Sequence, residues 1–93
     1  MRAPPDPDDV IDEIGMRIAE LRRAREWTQS EVADRMGVPL RNYQRYEAGN
    51  NLTIRTLVAI AAALGVRPVT LWQEPTRVVR RRGRPKRDDE RRG

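Results

Sequence analysis

The ten residues PLRNYQRYEA, 39–48, set two chemistries back to back. At 100° per residue, Tyr43, Tyr46 and Glu47 share one side of a helix. Arg41 and Arg45 point the opposite way, with Gln44 and Ala48 beside them. A guanidinium pairs in bidentate fashion with O6 and N7 of guanine, and a glutamine amide can do the same with adenine. The outer face of 39–48 therefore has the chemistry to read base edges in a major groove. A solvated arginine-rich face fits the same composition.

A second basic element lies near the end, where RRRGRPKR, 80–87, sets Arg82-Gly83-Arg84-Pro85 between basic flanks. Gly83 lets the backbone sink to the floor of a minor groove while Arg82 and Arg84 extend along it. Narrow A/T-rich grooves carry the enhanced negative potential that attracts such guanidiniums. Residues 77–93 hold nine basic and three acidic side chains, a net of +6, and residues 1–13 hold five acids against Arg2, a net of −4. With a total of +5, residues 14–76 stand at +3. A basic tail fits a polyanionic partner, and it also serves solubility.

Several function classes are excluded by what is missing. The 93 residues allow one domain plus tails, and a domain this small buries only about 60% of its unfolded surface, too little for a large catalytic cleft. With no Cys and no His, disulfides, thiol chemistry, zinc sites and the usual general base are absent. Nothing brings a nucleophile and a base together, so the expectation is a protein that is not an enzyme and takes no cofactor or metal. The start, MRAPPDPDDV, is acidic and proline-rich, unlike a signal peptide, and no apolar run approaches the roughly 20 residues that span a bilayer. These features predict a soluble, cytoplasmic chain with no membrane partner, and a DNA-binding role would make it nucleoid-associated.

The elements that must position these residues are helical. Pro4, Pro5 and Pro7 keep the first residues out of a helix, and Asp8 or Asp9 then caps the first one. Ile11, Ile14, Ile18 and Leu21 mark its buried face. Gly15 sits inside it at a cost of about 1 kcal/mol relative to Ala, and close approach of another helix is one reason to keep it. Thr28–Glu31, TQSE, reads as a capping box opening a short helix with Val32, Ala33 and Met36 inward, ended by Gly37. A third helix follows with Pro39 at its first position. After a loop at Gly49–Asn51, Thr53 caps a fourth carrying Ile54, Leu57, Ile60, Ala61 and Leu64, stopped by Gly65. RPVTLW suits a last short helix over 68–73. The expected organisation is an acidic segment 1–8, an all-α domain of five helices over 9–76, and a basic tail 77–93, disordered in isolation.

A capped short helix, a Gly-Val turn and another short helix make a helix-turn-helix candidate. Residues 16–72 resemble the Cro/C1-type (Xre-like) helix-turn-helix domain of phage repressors, with WTQSEVADRMGV, RYEAG and LVAIAAALGV at the family's spacing. The resemblance implies a lambda-repressor-like fold that binds double-stranded DNA as a two-fold dimer. It implies that Gln29 contacts a phosphate and buttresses the third helix. Leu40, Arg41 and Arg45 fall at base-reading positions, with Gln44 next to them. Asn50 and Asn51 lie in the loop that meets the DNA backbone, and Arg55 matches a position that reaches the minor groove. Arg22 and Glu47 match a structural salt bridge from the first helix to the third. Two departures are Pro39, where Ser or Thr is usual, and Tyr43, where a smaller aliphatic residue is usual. NNLTIRTLVAIAAALGV further resembles restriction–modification controller proteins.

Arg82-Gly83-Arg84-Pro85 resembles the AT-hook of high-mobility-group A proteins, with Arg81 where a Pro often precedes. Leu71 and Trp72 are the candidate dimer surface, or else part of the core. The function expected is a sequence-specific transcriptional regulator, a repressor before an activator. The tail would add minor-groove or phosphate affinity. The alternatives are a nucleoid-organising protein with little sequence preference, and a protein-interaction module of antitoxin or adaptor type.

Overall fold

A computed structural model describes residue 4 and residues 6–73 of the chain. The basic tail, with Arg82, Gly83 and Arg84, lies outside the described residues. Four α-helices follow one another: α1 (Pro7–Ala24), α2 (Gln29–Met36), α3 (Leu40–Glu47) and α4 (Ile54–Leu64). The fifth element is not an α-helix but a 3-10 turn, Pro68–Trp72. Five residues opened by a proline offer too few amides to close α-helical rings, and the tighter 3-10 turn is used for such short pieces. No strand occurs among the described residues.

The helix starts follow local chemistry, with one shift. Asp6, rather than Asp8 or Asp9, caps α1, its carboxylate accepting from the Asp8 amide at 2.8 Å. Pro7 takes the first helical position, where an amide would be unpaired anyway. Asp8 and Asp9 fall in the first turn instead, where the helix dipole favours acids. The capping box of α2 is formed. The Glu31 amide donates to Thr28 Oγ1 at 3.0 Å, and the Thr28 amide donates to Glu31 Oε1 at 2.7 Å. Thr53 caps α4 by accepting from the Thr56 amide at 3.1 Å. Pro39 is the cap residue of α3 rather than its first helical residue, and it makes no side-chain hydrogen bond there.

All four helices stop by one device. A residue with positive φ follows the last turn, and two amides fold back onto its carbonyls. Gly37, Gly49 and Gly65 take that place at φ 73°, 87° and 72°, and Glu26 takes it after α1 at φ 57°. The Trp27 amide then reaches the Arg22 carbonyl at 3.3 Å, and the Glu26 amide reaches that of Arg23 at 2.8 Å. Glu26 carries no sequence signal for this conformation, because glycine is the residue that usually announces it.

Each element sends an apolar side chain to one core. Ile18, Val32, Tyr43, Ile60, Leu64 and Leu71 are fully buried. Two side chains expected on buried faces are not: Ile11 is 36% and Ile54 67% exposed. Periodicity says which side a residue faces, but not how far along a helix the opposing layer extends. Leu71, a candidate for either the dimer surface or the core, is core. The 3-10 turn packs against α1 and α4, and Arg17 clamps it there. Arg17 Nε donates to the Thr70 carbonyl at 3.1 Å and Nη2 to Gln73 Oε1 at 3.0 Å, while Nη1 pairs with Glu20 at 2.7 Å.

Gly15 is buried where the end of α3 crosses α1. A methyl group added there would collide with the Glu47 carbonyl oxygen. Gly15→Ala should therefore destabilise the chain by about 1–3 kcal/mol, the range for overpacking, although alanine is the better helix former by about 1 kcal/mol. Thermal unfolding checks this. A rise in Tm would mean that α3 does not approach α1 so closely.

Candidate nucleic-acid interface

Glu47, the last residue of α3, is 6% exposed and Arg22 of α1 is 9% exposed. A carboxylate so far from water must be met by donors. Arg22 supplies two, Nε to Oε2 at 2.6 Å and Nη2 to Oε1 at 3.1 Å. The Tyr43 hydroxyl donates to Oε2 at 2.5 Å and Gln29 Nε2 donates to Oε1 at 2.9 Å. Arg22 Nη1 in turn donates to the Trp27 carbonyl at 2.9 Å, just ahead of α2. Gln44 Nε2 then donates to Gln29 Oε1 at 3.2 Å. One carboxylate thus links α1, the start of α2 and both faces of α3.

Burial alone would raise the Glu47 pKa. The hydrogen bonds from Arg22, Tyr43 and Gln29 outweigh it, and the carboxyl is held below its ordinary range. The bond to Glu47 raises the Arg22 pKa, against the opposing effect of burial. Burial, then the adjacent carboxylate, pushes the Tyr43 phenol far up. All three therefore keep one protonation state at neutral pH: anion, cation and neutral phenol.

With Tyr43 and Glu47 inward, the other side of α3 is left to solvent. Leu40, Arg41, Gln44 and Arg45 are all exposed. Asn50 and Asn51 are exposed in the following loop, with Asn51 at φ 58°, and Arg55 is exposed at the start of α4. Gln29 lies half-buried between the two sets. The residues expected to meet a duplex and those expected to hold the helix separate by face.

Tyr43, expected on the inner face of this helix and larger than the residue usual there, is fully buried; what the sequence reading missed is that its hydroxyl donates to Glu47. Its spacing of four from Glu47 on one helix face is the signal that could have found it. The Arg35 guanidinium stacks 3.9 Å from the Trp27 ring centroid, covering the α1–α2 corner. Among the described residues, no cluster of His, Cys, Asp and Glu could hold a metal ion. No helix there is long and apolar enough to cross a membrane.

A helix-turn-helix family model matches residues 18–71. The chain belongs to the helix-turn-helix family of Cro/C1 type. Over 54 residues this helix-turn-helix chain is 43% identical to the cryptic phage CTXphi transcriptional repressor RstR of Vibrio cholerae serotype O1. That alignment covers 57% of this chain and 48% of the repressor, so the chain spans about half the length of this relative. Among solved structures, it is similar to a hypothetical transcription factor, NHTF, from Neisseria. The TM-score is 0.68 at 25% identity, over 81% of this chain and 87% of that one. It is also similar to the restriction–modification controller protein C.AhdI from Aeromonas hydrophila. There the TM-score is 0.62 at 27% identity, over 66% of this chain and 94% of that one.

Glu47→Gln removes the anion and leaves Arg22 buried without its partner charge, a change that typically costs about 3–5 kcal/mol. The acid limb carries the same signature. An unfolded glutamate titrates near about 4.3, and the folded value is lower. The stability that Glu47 contributes is thus complete above the unfolded pKa and is lost as pH falls through the folded one. Denaturant unfolding between neutral and acid pH should show a slope below about pH 4.3 that is reduced in Glu47→Gln. An equal slope in both proteins would contradict the ionised, paired state.

Proposed function

We propose that this chain is a sequence-specific DNA-binding transcriptional regulator, and a repressor in particular. The observation that carries the reading is the division of α3. Its inner face is tied through Glu47 to α1 and α2, and its outer face presents Leu40, Arg41, Gln44 and Arg45 to solvent. The repressor activity of the Vibrio relative and the family membership support it.

In this reading α3 enters the major groove with Arg41 and Arg45 on base edges, and Gln44 beside them. Leu40 is restricted to apolar contact, such as a thymine methyl. Gln29, Asn50 and Asn51 approach the phosphates, and Arg55 lies towards the minor groove. The protein binds as a homodimer on half-sites about one helical turn apart. Leu71 is unavailable for that contact, so the dimer surface in this proposal is Trp72 with Val69, which are 47% and 55% exposed. Arg82, Gly83 and Arg84 of the 77–93 segment add minor-groove or phosphate affinity as an AT-hook-like element. The domain in this proposal runs to 76 and starts at Asp6, the cap of α1, so the expected acidic segment 1–8 overlaps the first turn of that helix. The site of action is the cytoplasm, on the nucleoid.

Selection from a random duplex pool tests this, run on the full chain and on residues 1–76. Both should recover a two-fold symmetric motif, with A/T enrichment beside it only for the full chain. Arg41→Ala and Arg45→Ala should each cost about 1–3 kcal/mol on that site and relax one base position. A/T tracts without a half-site would instead favour a nucleoid-organising protein. No enrichment, with both arginine variants fully active, would favour an antitoxin- or adaptor-type module.

A further inference from the structure

A helix that reads a major groove meets base edges with its N-terminal residues. In α3 that end is apolar. Pro39 caps the helix without a side-chain hydrogen bond and is exposed, and Leu40, the first helical residue, is 41% exposed. Leu40 takes no part in the core, because Tyr43 and Glu47 fill the inner face. Neither Pro39 nor Leu40 carries a side-chain donor or acceptor. The polar side chains begin only at Arg41.

The major groove offers such a pair one matching group. Adenine, guanine and cytosine present donors and acceptors there, and thymine adds a methyl group at C5. A leucine pressed onto a polar edge displaces its water and returns no hydrogen bond, which is unfavourable. Pressed onto a C5-methyl group, it buries apolar surface on both sides. The choice is therefore made on the methyl group and not on the base that carries it. At C4, thymine bears an acceptor oxygen and cytosine a donor amine, and leucine pairs with neither. A methyl group placed on C5 of cytosine meets the contact as thymine does.

We infer that Pro39 and Leu40 form a sensor for the C5-methyl group of a pyrimidine, so that one position in each half-site accepts thymine or 5-methylcytosine and disfavours unmethylated cytosine. The inference rests on the DNA-binding reading above and deepens it. A chemical group, rather than one base, is what is read at that position, and occupancy then responds to cytosine methylation within the site. Contacts of Arg41 and Arg45 with guanine are untouched by that modification, since O6 and N7 do not change.

The test is selection from a random duplex pool with the full chain, followed by competition among synthetic duplexes of the selected site. At each pyrimidine in turn these carry thymine, uracil, cytosine or 5-methylcytosine, each with its complementary base opposite. Thymine and uracil differ only by the methyl group, and so do 5-methylcytosine and cytosine. At one position per half-site, wild type should prefer the methylated member of both pairs. The preference should be about fourfold for one half-site and about 15-fold when both are changed. Leu40→Ala should bring both ratios close to one and leave the other positions as they were. Leu40→Met, of similar length and also apolar, should retain them. General weakening of the fold would lower affinity for every duplex alike and would not move these two ratios.

A motif in which no position prefers the methylated member of both pairs overturns the methyl reading. Methyl discrimination that survives Leu40→Ala overturns the assignment to Leu40. Either result leaves the regulator reading intact. No motif from wild type overturns the regulator reading and this inference with it.

Discussion

A single carboxylate, buried at the end of an eight-residue helix, determines how the other helices sit. Taking an ion of this size out of water costs several kcal/mol unless donors replace the lost hydration. Glu47 finds them on α1, α2 and α3 at once. That demand sets the rotation of α3 about its own axis, because Tyr43 and Glu47 must face inward together. It also sets how near α3 comes to α1, where Gly15 leaves room for the Glu47 backbone. The exposure of Leu40, Arg41, Gln44 and Arg45 is the complement of those two constraints.

The apolar core and the polar network have different tasks. Burying a large aliphatic or aromatic side chain contributes about 1.5–3 kcal/mol, and Ile18, Val32, Tyr43, Ile60, Leu64 and Leu71 are all fully buried. Folding is driven from there. A buried ion pair is weak evidence of net stability, since apolar replacements of similar volume often do as well. What it supplies is direction. Apolar contacts tolerate a few degrees of rotation, whereas bonds of 2.6–3.1 Å from Arg22 and Gln29 do not. If α3 reads base edges, as proposed, rotation is the quantity that matters.

Much of this was legible in the sequence because it is local. The Thr28–Glu31 box, the Gly37 and Gly65 stops, and the inward Leu57, Ile60, Ala61 and Leu64 follow from short-range patterns and from 3.6-residue periodicity. The partition of α3 into two faces follows from the same period. The errors came where local pattern meets tertiary context. Pro7 could not be placed outside or inside α1 without knowing that Asp6 would supply the cap. Ile54 has the right period but lies beyond the layer that would cover it. Leu71 and Trp72 are adjacent in sequence, and only the packing of the final turn against α1 and α4 decides which is core. The Arg22–Glu47 contact came from family resemblance, not from spacing, because the residues are 25 apart. The Gln29–Gln44 contact, across the turn between two helices, gave no signal in spacing, and only the resemblance, which implied that Gln29 buttresses the third helix, pointed towards it.

The central claim is that the Glu47 network orients the reading face more than it stabilises the fold. The ratio of specific to non-specific DNA affinity, measured on the full chain, tests it most directly. Wild type would be compared with the double variant Arg22→Met, Glu47→Leu, which removes both charges together and leaves neither unpaired. The account predicts that this variant stays folded, keeps its salt-dependent non-specific binding, and loses most of the specificity ratio. A folded variant with the wild-type ratio would contradict it, and would place the orientation of α3 in the apolar core alone.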